Sequence, residues 1–339
     1  MDDDLLEFCR SIPKIELHAH LNGCIRSSTF RQLLSSSDDQ NRLDQLEQTF
    51  AQGNTHSRMA NVFEKFALLR SCVTNLDEIR RITYETLEDF SNDNVIYAEL
   101  RTRPRSFDQG RIPSSAYIET IIDVIKQFQE KICARLILSI DRIQSVEQAT
   151  ETFQLAQQYR DYVVGLDLSG DPNVKSFERF RSIFDLAKQV NLSTTIHIGE
   201  LPDEECLNEN NLILDYEPTR LGHFNFRTNE QEQRVIQEKI PLELCPTSNL
   251  LTMNLNDFAE HHFNLFYTNK HPIAICTDDS GLMDCCLSTE IYNIAKSFHL
   301  SKKDLYEFCF RATNLIFDKN ALKFLQQKLE EFSQQSNIF

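Results

Sequence analysis

The feature that most constrains this chain is a rhythm. Short apolar runs rich in Val, Ile and Leu recur near residues 14–17, 95–101, 134–140, 163–168, 193–198, 219–222, 240–245 and 272–277. Several are continuously apolar rather than alternating, as expected of parallel strands covered on both sides. The longer stretches between them carry apolar residues at helical spacing. Ile118, Ile121, Ile122, Ile125 and Phe128 follow one such pattern, and Phe177, Phe180, Ile183, Phe184 and Ala187 another. Ser145 with Gln148, and Thr228 with Gln231, have capping-box spacing just ahead of helical patterns. Strand–helix alternation repeated in this way predicts an α/β fold, a (β/α)8 TIM-type barrel. A length of 339 residues suits one such barrel domain over 1–339. The interval from about 24 to 94 is too long for a single return. It reads as an all-helical insertion after the first strand, with a helix near 57–72 carrying Phe63, Phe66 and Leu69. Residues 330–339 are expected to form a frayed tail.

The formal charge of −16 argues against a nucleic-acid polymer as partner, because phosphate-backbone binding runs on a basic surface. It leaves room for a small phosphorylated ligand, which needs only a local cationic pocket. No apolar run approaches the roughly 20 residues of a membrane span. The acidic start Met1-Asp2-Asp3-Asp4 is the opposite of a secretory leader. The ten cysteines are scattered singly apart from Cys285-Cys286, with no CxxC spacing, and read as reduced thiols of a monomeric cytosolic protein.

The informative polar residues fall at the C-terminal ends of the predicted strands, the face on which barrel active sites are built. They are His18 and His20, Arg103 and Arg105, Asp141, Gly170, His197 and Glu200, His223, and Asp278 with Asp279. In a strand, residues i and i+2 share a face, so His18 and His20 can both point into the barrel mouth. Two imidazoles suit Zn²⁺, although an HxH pair alone also fits ordinary polar histidines. His197 and Asp278 complete a set that would hold one zinc and leave room for a water. A zinc-bound water has its pKa lowered from 15.7 to about 7. Glu200, three residues beyond His197, is free to face a substrate, and Asp279 must project differently from Asp278. A two-metal site is the competing reading, but the fourth strand ends Asp167-Leu-Ser-Gly-Asp171 without a bridging lysine.

Six segments taken together resemble the adenosine/AMP deaminase family. They are Glu16-Leu-His-Ala-His-Leu-Asn-Gly23, Leu168-Ser-Gly-Asp171, His197-Ile-Gly-Glu200, Leu221-Gly-His223, Cys245-Pro-Thr-Ser-Asn249 and Thr277-Asp-Asp279. The resemblance implies His18, His20, His197 and Asp278 as ligands of one Zn²⁺ per chain. It implies Glu200 as the acid that protonates purine N1 while zinc hydroxide attacks C6, and His223 as the group that orients the hydroxide. Asp279 would bond N7, the Gly170 backbone would meet N3, and Asp141 would complete the substrate site.

The choice of purine turns on a few departures. Adenosine deaminases of the family usually carry HLDG after the ligand pair, whereas this chain reads His20-Leu-Asn22-Gly23. Aspartate there would repel a 5'-phosphate and asparagine would not. Arg101-Thr102-Arg103-Pro104-Arg105 is a Thr–Arg cluster suited to phosphate, and Arg70 on the insertion is a further cation. These features are similar to the branch that hydrolyses N6-substituted AMP, so N6-methyl-AMP is the expected substrate. An adenosine deaminase, and a purine-binding protein without catalysis, are the alternatives. His56, His261, His262, His271 and His299 lie off the predicted strand ends and are assigned no site role.

Overall fold

The computed structural model describes residues 2–49, 52–336 and 338. Its centre is a sheet of parallel strands in chain order, each beside the next: β1 Lys14–His20, β2 Val95–Thr102, β3 Cys133–Asp141, β4 Val163–Ser169, β5 Ser193–Ile198, β6 Arg220–His223, β7 Leu242–Leu244 and β8 Ile273–Ile275. The ring closes where Asp278, just past β8, pairs in parallel with Ala19 of β1. The His20 amide donates to the Asp278 carbonyl (2.9 Å) and the Asp278 amide to the His18 carbonyl (2.8 Å). This is the TIM-type barrel that the apolar rhythm predicts.

Side chains of alternate parity face opposite ways along each strand. One parity is aliphatic, with Leu136, Leu138 and Ile140 on β3, Leu166 and Leu168 on β4, and Ile196 and Ile198 on β5. These residues share one buried cluster with the apolar stripes of the surrounding helices, including Ile118, Ile121 and Phe180. The capping boxes at Ser145–Gln148 and Thr228–Gln231 both form. Helix α1 (Asp2–Ser11) precedes the barrel. Four helices fill the interval between β1 and β2: α2 Ser27–Leu33, α3 Ser37–Thr49, α4 Thr55–Cys72 and α5 Leu76–Asn92. The end of the chain departs from expectation. A helix over Leu322–Gln335 runs through most of the segment expected to fray, because Leu329 is buried and Phe332 packs its ring 5.8 Å from that of Phe8. Asn337 and Phe339 of that segment lie outside the described residues.

The other parity is charged. Glu243 on β7 touches Arg101 of β2 (2.7 Å), Arg220 of β6 (2.5 Å), Thr195 of β5 (3.0 Å) and His18 of β1 (2.7 Å). Strands on opposite sides of a ring meet only through its interior, so these contacts fix which parity points inward. Arg101 also reaches Asp167 of β4 (3.2 Å), and Arg220 reaches Glu99 of β2 (2.5 Å). Glu99, Arg101, Asp167, Arg220 and Glu243 are all fully buried. Burial alone would raise the carboxyls of Asp167 and Glu243. The charges around them win, with His197 and Arg101 holding Asp167 low and Arg101 and Arg220 holding Glu243 well below the usual carboxylate range.

Removing one member of such a lattice leaves a buried charge short of its counter-charge and out of reach of water. Arg220→Leu leaves Glu99 and Glu243 short of a cation and is expected to cost about 3–5 kcal/mol in urea denaturation. A loss below about 1 kcal/mol, the worth of an exposed pair, would show that the interior does not depend on it.

Candidate active site

Four side chains converge above this lattice. The ligand atoms of His18, His20, His197 and Asp278 all lie within 4.8 Å of one another. His20 Nε2 and His197 Nε2 face each other at 3.1 Å. Asp278 Oδ1 stands 3.5 Å from His18 Nε2 and 3.4 Å from His20 Nε2. The spacing follows from the strands, since His18 and His20 share the inward parity of β1, His197 holds the matching place on β5, and Asp278 sits at the closing bridge.

Two of the three imidazoles are oriented from behind. His18 Nδ1 bonds Glu243 Oε2 (2.7 Å), and His197 Nδ1 bonds Asp167 Oδ1 (3.0 Å) and the Leu168 carbonyl (3.0 Å). With Nδ1 committed as donor, each ring turns a bare Nε2 toward the common point. His18 Nε2 is buried without a hydrogen-bond partner. The lattice below also carries three carboxylates against two guanidinia, Arg101 and Arg220. An orphaned imidazole nitrogen, a nitrogen and oxygen donor set and surplus negative charge together fit a divalent cation. The site is one at which a metal can be held.

Close approach makes glycine necessary in two places. A Cβ on Gly222 would stand 2.7 Å from His18 Cε1, and one on Gly23 would stand 1.7 Å from Asp279 Oδ1. Three residues here hold left-handed backbone without being glycine, namely His223 (φ 65°), Phe224 (φ 56°) and Asp278 (φ 63°). Such conformations cost on the order of 1–3 kcal/mol each and cluster at functional sites.

A cavity of about 520 Å³ opens from the cluster to the barrel mouth. Of the sequence-predicted site residues, all but two line it. His18 and Pro104 are both buried and do not line it. Glu200 turns a buried, unpartnered Oε2 to the cavity, and burial raises its carboxyl. Asp279 Oδ1 is likewise unpartnered. Burial, with Asp278 adjacent, raises the Asp279 carboxyl well above its ordinary range. His223 Nε2 lies 3.9 Å from Asp278 Oδ2, and burial lowers the ring's pKa well below its usual value.

Part of the cavity wall is cationic. Arg103 pairs with Asp141 (2.9 Å), and Arg105 lies over the Phe107 ring (4.9 Å) while donating to the Val73 carbonyl (2.6 Å). Burial lowers the pKa of both Arg70 and Arg105, and Arg103 repels each of them. Asn22 leaves its Oδ1 buried and unpartnered, and Thr102 bonds the Tyr117 hydroxyl (2.5 Å). Helix α4 roofs the cavity with Met59, Phe63 and Phe66.

Sequence reasoning missed the supporting layer of Arg101, Asp167, Arg220 and Glu243, and the pair Asn249 and His261. The lattice did leave a signal, since a charge inside an otherwise apolar strand run has to find a buried partner. His261 left none. It is buried and bonds Asn249 Oδ1 (3.2 Å), whose amide meets His223 (3.1 Å), a support that only the fold creates. Asn225 also lines the cavity with an unpartnered Oδ1. Among the described residues the cysteines are all free, and no helix is long and apolar enough to cross a membrane.

Comparison with known proteins agrees with this geometry. Residues 13–327 match the adenosine deaminase family. The chain is 34% identical to an N6-mAMP deaminase of Arabidopsis thaliana, over 94% of this chain and 96% of that one. It is 33% identical to an N6-methyl-AMP deaminase of Bos taurus, over 93% of each. Among solved structures, Arabidopsis ADAL complexed with IMP superposes with a TM-score of 0.88 at 35% identity, covering 97% of this chain and 99% of that one. The same Arabidopsis protein has been crystallised with GMP. The chain therefore belongs to the adenosine deaminase family.

Proposed function

We propose that this protein is a zinc-dependent hydrolytic deaminase acting on a purine nucleoside 5'-monophosphate, converting N6-methyl-AMP to IMP and methylamine. The observation that carries the reading is that one cavity is lined both by His20, His197 and Asp278 of the metal-type cluster and by Arg70, Arg103 and Arg105. Arg103 pairs with Asp141, which also attracts Arg70, while Arg105 is repelled by both other guanidinia, so this cluster carries more cation than its one carboxylate answers and suits an anion. The relatives named as N6-methyl-AMP deaminases and the IMP-bound neighbour support the same substrate.

His18, His20, His197 and Asp278 would hold one zinc, which when bound supplies a deprotonated water at neutral pH. The remaining work falls to the chain's own groups. Glu200, whose carboxyl is raised above its ordinary range by burial, donates a proton to N1 and makes C6 electrophilic. Asp279, raised by burial and by Asp278, donates its O–H to N7. The Gly170 backbone meets N3, and His223 faces the incoming oxygen. A C6–O bond forms, the C6–N6 bond breaks, and the amine leaves with a proton. Asn22, in place of an aspartate, takes away a charge that would oppose the phosphate, and Thr102 lines the same cavity. We assign the activity to a monomer in the cytosol, in keeping with free thiols and a small-molecule partner.

A substrate panel of adenosine, AMP, N6-methyladenosine and N6-methyl-AMP, followed by ultraviolet absorbance, tests the reading. N6-methyl-AMP is expected to give the highest kcat/KM; turnover of adenosine alone would overturn the nucleotide assignment. Arg103→Ala should lower kcat/KM for N6-methyl-AMP by about 10- to 100-fold, as lost charge-assisted bonds worth roughly 1.5–3 kcal/mol imply. It should leave the nucleoside's value nearly unchanged, and an equal loss on both would sink the phosphate role. Glu200→Gln keeps the shape but has no acidic proton, so kcat should fall about 10²- to 10⁴-fold. Full activity in that variant would rule out the proton transfer. Removing metal with a chelator should abolish turnover, and titration back should restore it at one zinc per chain. Turnover by metal-free protein would end the zinc reading.

A further inference from the structure

Behind His223, on the side away from the cavity, a short chain of buried polar groups starts from a donor whose role is fixed. The Phe263 backbone N–H donates to His261 Nδ1 (3.0 Å). A backbone amide only donates, so His261 Nδ1 accepts, and a neutral ring then carries its proton on Nε2. Burial, with Arg227 nearby, lowers the His261 pKa to about 3, so the ring is neutral. Its Nε2–H points to Asn249 Oδ1 (3.2 Å), on which the Cys245 backbone N–H also converges (3.2 Å). Two donors on one atom settle which end of the buried amide is oxygen. The other end, Nδ2, faces His223 Nδ1 at 3.1 Å and can only donate to it. His223 must then leave Nδ1 bare and carry its proton on Nε2, the nitrogen on the Asp278 side.

We propose that Asn249 is a positioning residue that holds His223 as the Nε2–H tautomer, so that His223 serves the incoming oxygen as a hydrogen-bond donor and not as its base. The proposal rests on the reading of His223 given above. It also accounts for residues that the chemistry itself does not use. Asn249 has no exposed surface and His261 almost none, and both spend their hydrogen-bonding capacity on this chain. A single directional run of donors, backbone to His261 to Asn249 to His223, fixes a proton position that neutral histidine otherwise leaves open between two nitrogens.

The tautomer can be read without turnover. In zinc-loaded, full-length protein labelled with ¹⁵N-histidine, long-range ¹H–¹⁵N correlation separates Nε2–H from Nδ1–H rings, and the His223 signals are those missing in His223→Gln. Wild-type protein is expected to show His223 as Nε2–H; an Nδ1–H ring there overturns the proposal. Asn249→Asp is nearly isosteric but accepts where the amide donates. The proton should move to Nδ1, and kcat should fall about 100-fold, the usual worth of one preorganised donor. KM for the nucleotide should change much less, since a bond felt only in the transition state is lost. Unchanged kcat, or an unchanged tautomer in that variant, also overturns it. The wild-type spectrum decides the point even if the buried aspartate prevents folding. A protein that turned over no purine nucleotide would end the functional reading while leaving the spectrum to judge the relay.

Discussion

A carboxylate sealed from water has to be met by cations and donors from every direction, and Glu243 is the group on which the rest of this barrel depends. It is reached from β1, β2, β5 and β6, so its position sets the inward parity of four other strands at once. Hydrophobic burial drives the ring to form, but an aliphatic interior would tolerate small slips of register. A carboxylate with four partners does not, because a shift leaves a buried charge unmatched. The outward parity holds the barrel together and the inward parity decides how it is aligned.

The same group links fold to chemistry. Glu243 turns His18, and Asp167 turns His197, while both carboxylates also hold Arg101. The cluster of His18, His20, His197 and Asp278 is thus the top layer of the ionic interior, and the geometry it offers a metal is set by residues beneath it. This is the usual division of labour in metal centres, in which outer groups fix ring orientation and tautomer. Asn249 does for His223, through a neutral amide, what the two carboxylates do for the other rings.

Much of this was legible in the chain, for physical reasons that differ from part to part. The strands announced themselves because parallel strands sheathed by helices must be apolar over most of their length. The residues that line the cavity could be picked out because barrel chemistry collects at one end, so polarity there stands out against the runs. The strands β7 and β8 are shorter than the apolar runs that mark them, although flanking residues such as Pro272 and Cys276 still bond to the neighbouring strand. The final helix was hidden by its polar composition, as Phe332 and Leu329 anchor it through contacts with distant residues such as Phe8. The link between His261 and His223 was beyond reach for the same reason. It joins the end of β6 to a distant loop through a third residue, and no local spacing encodes that.

The seam of the barrel has a consequence of its own. β8 is three residues long, and the ring is completed by one bridge, Ala19 with Asp278. His18 and His20 stand on the first strand and Asp278 just past the last, so an ion held by the cluster would stitch the beginning of the barrel to its end. Three of the four donors come together only because the first strand meets the last, so the ability to bind reports that the circle of strands is complete.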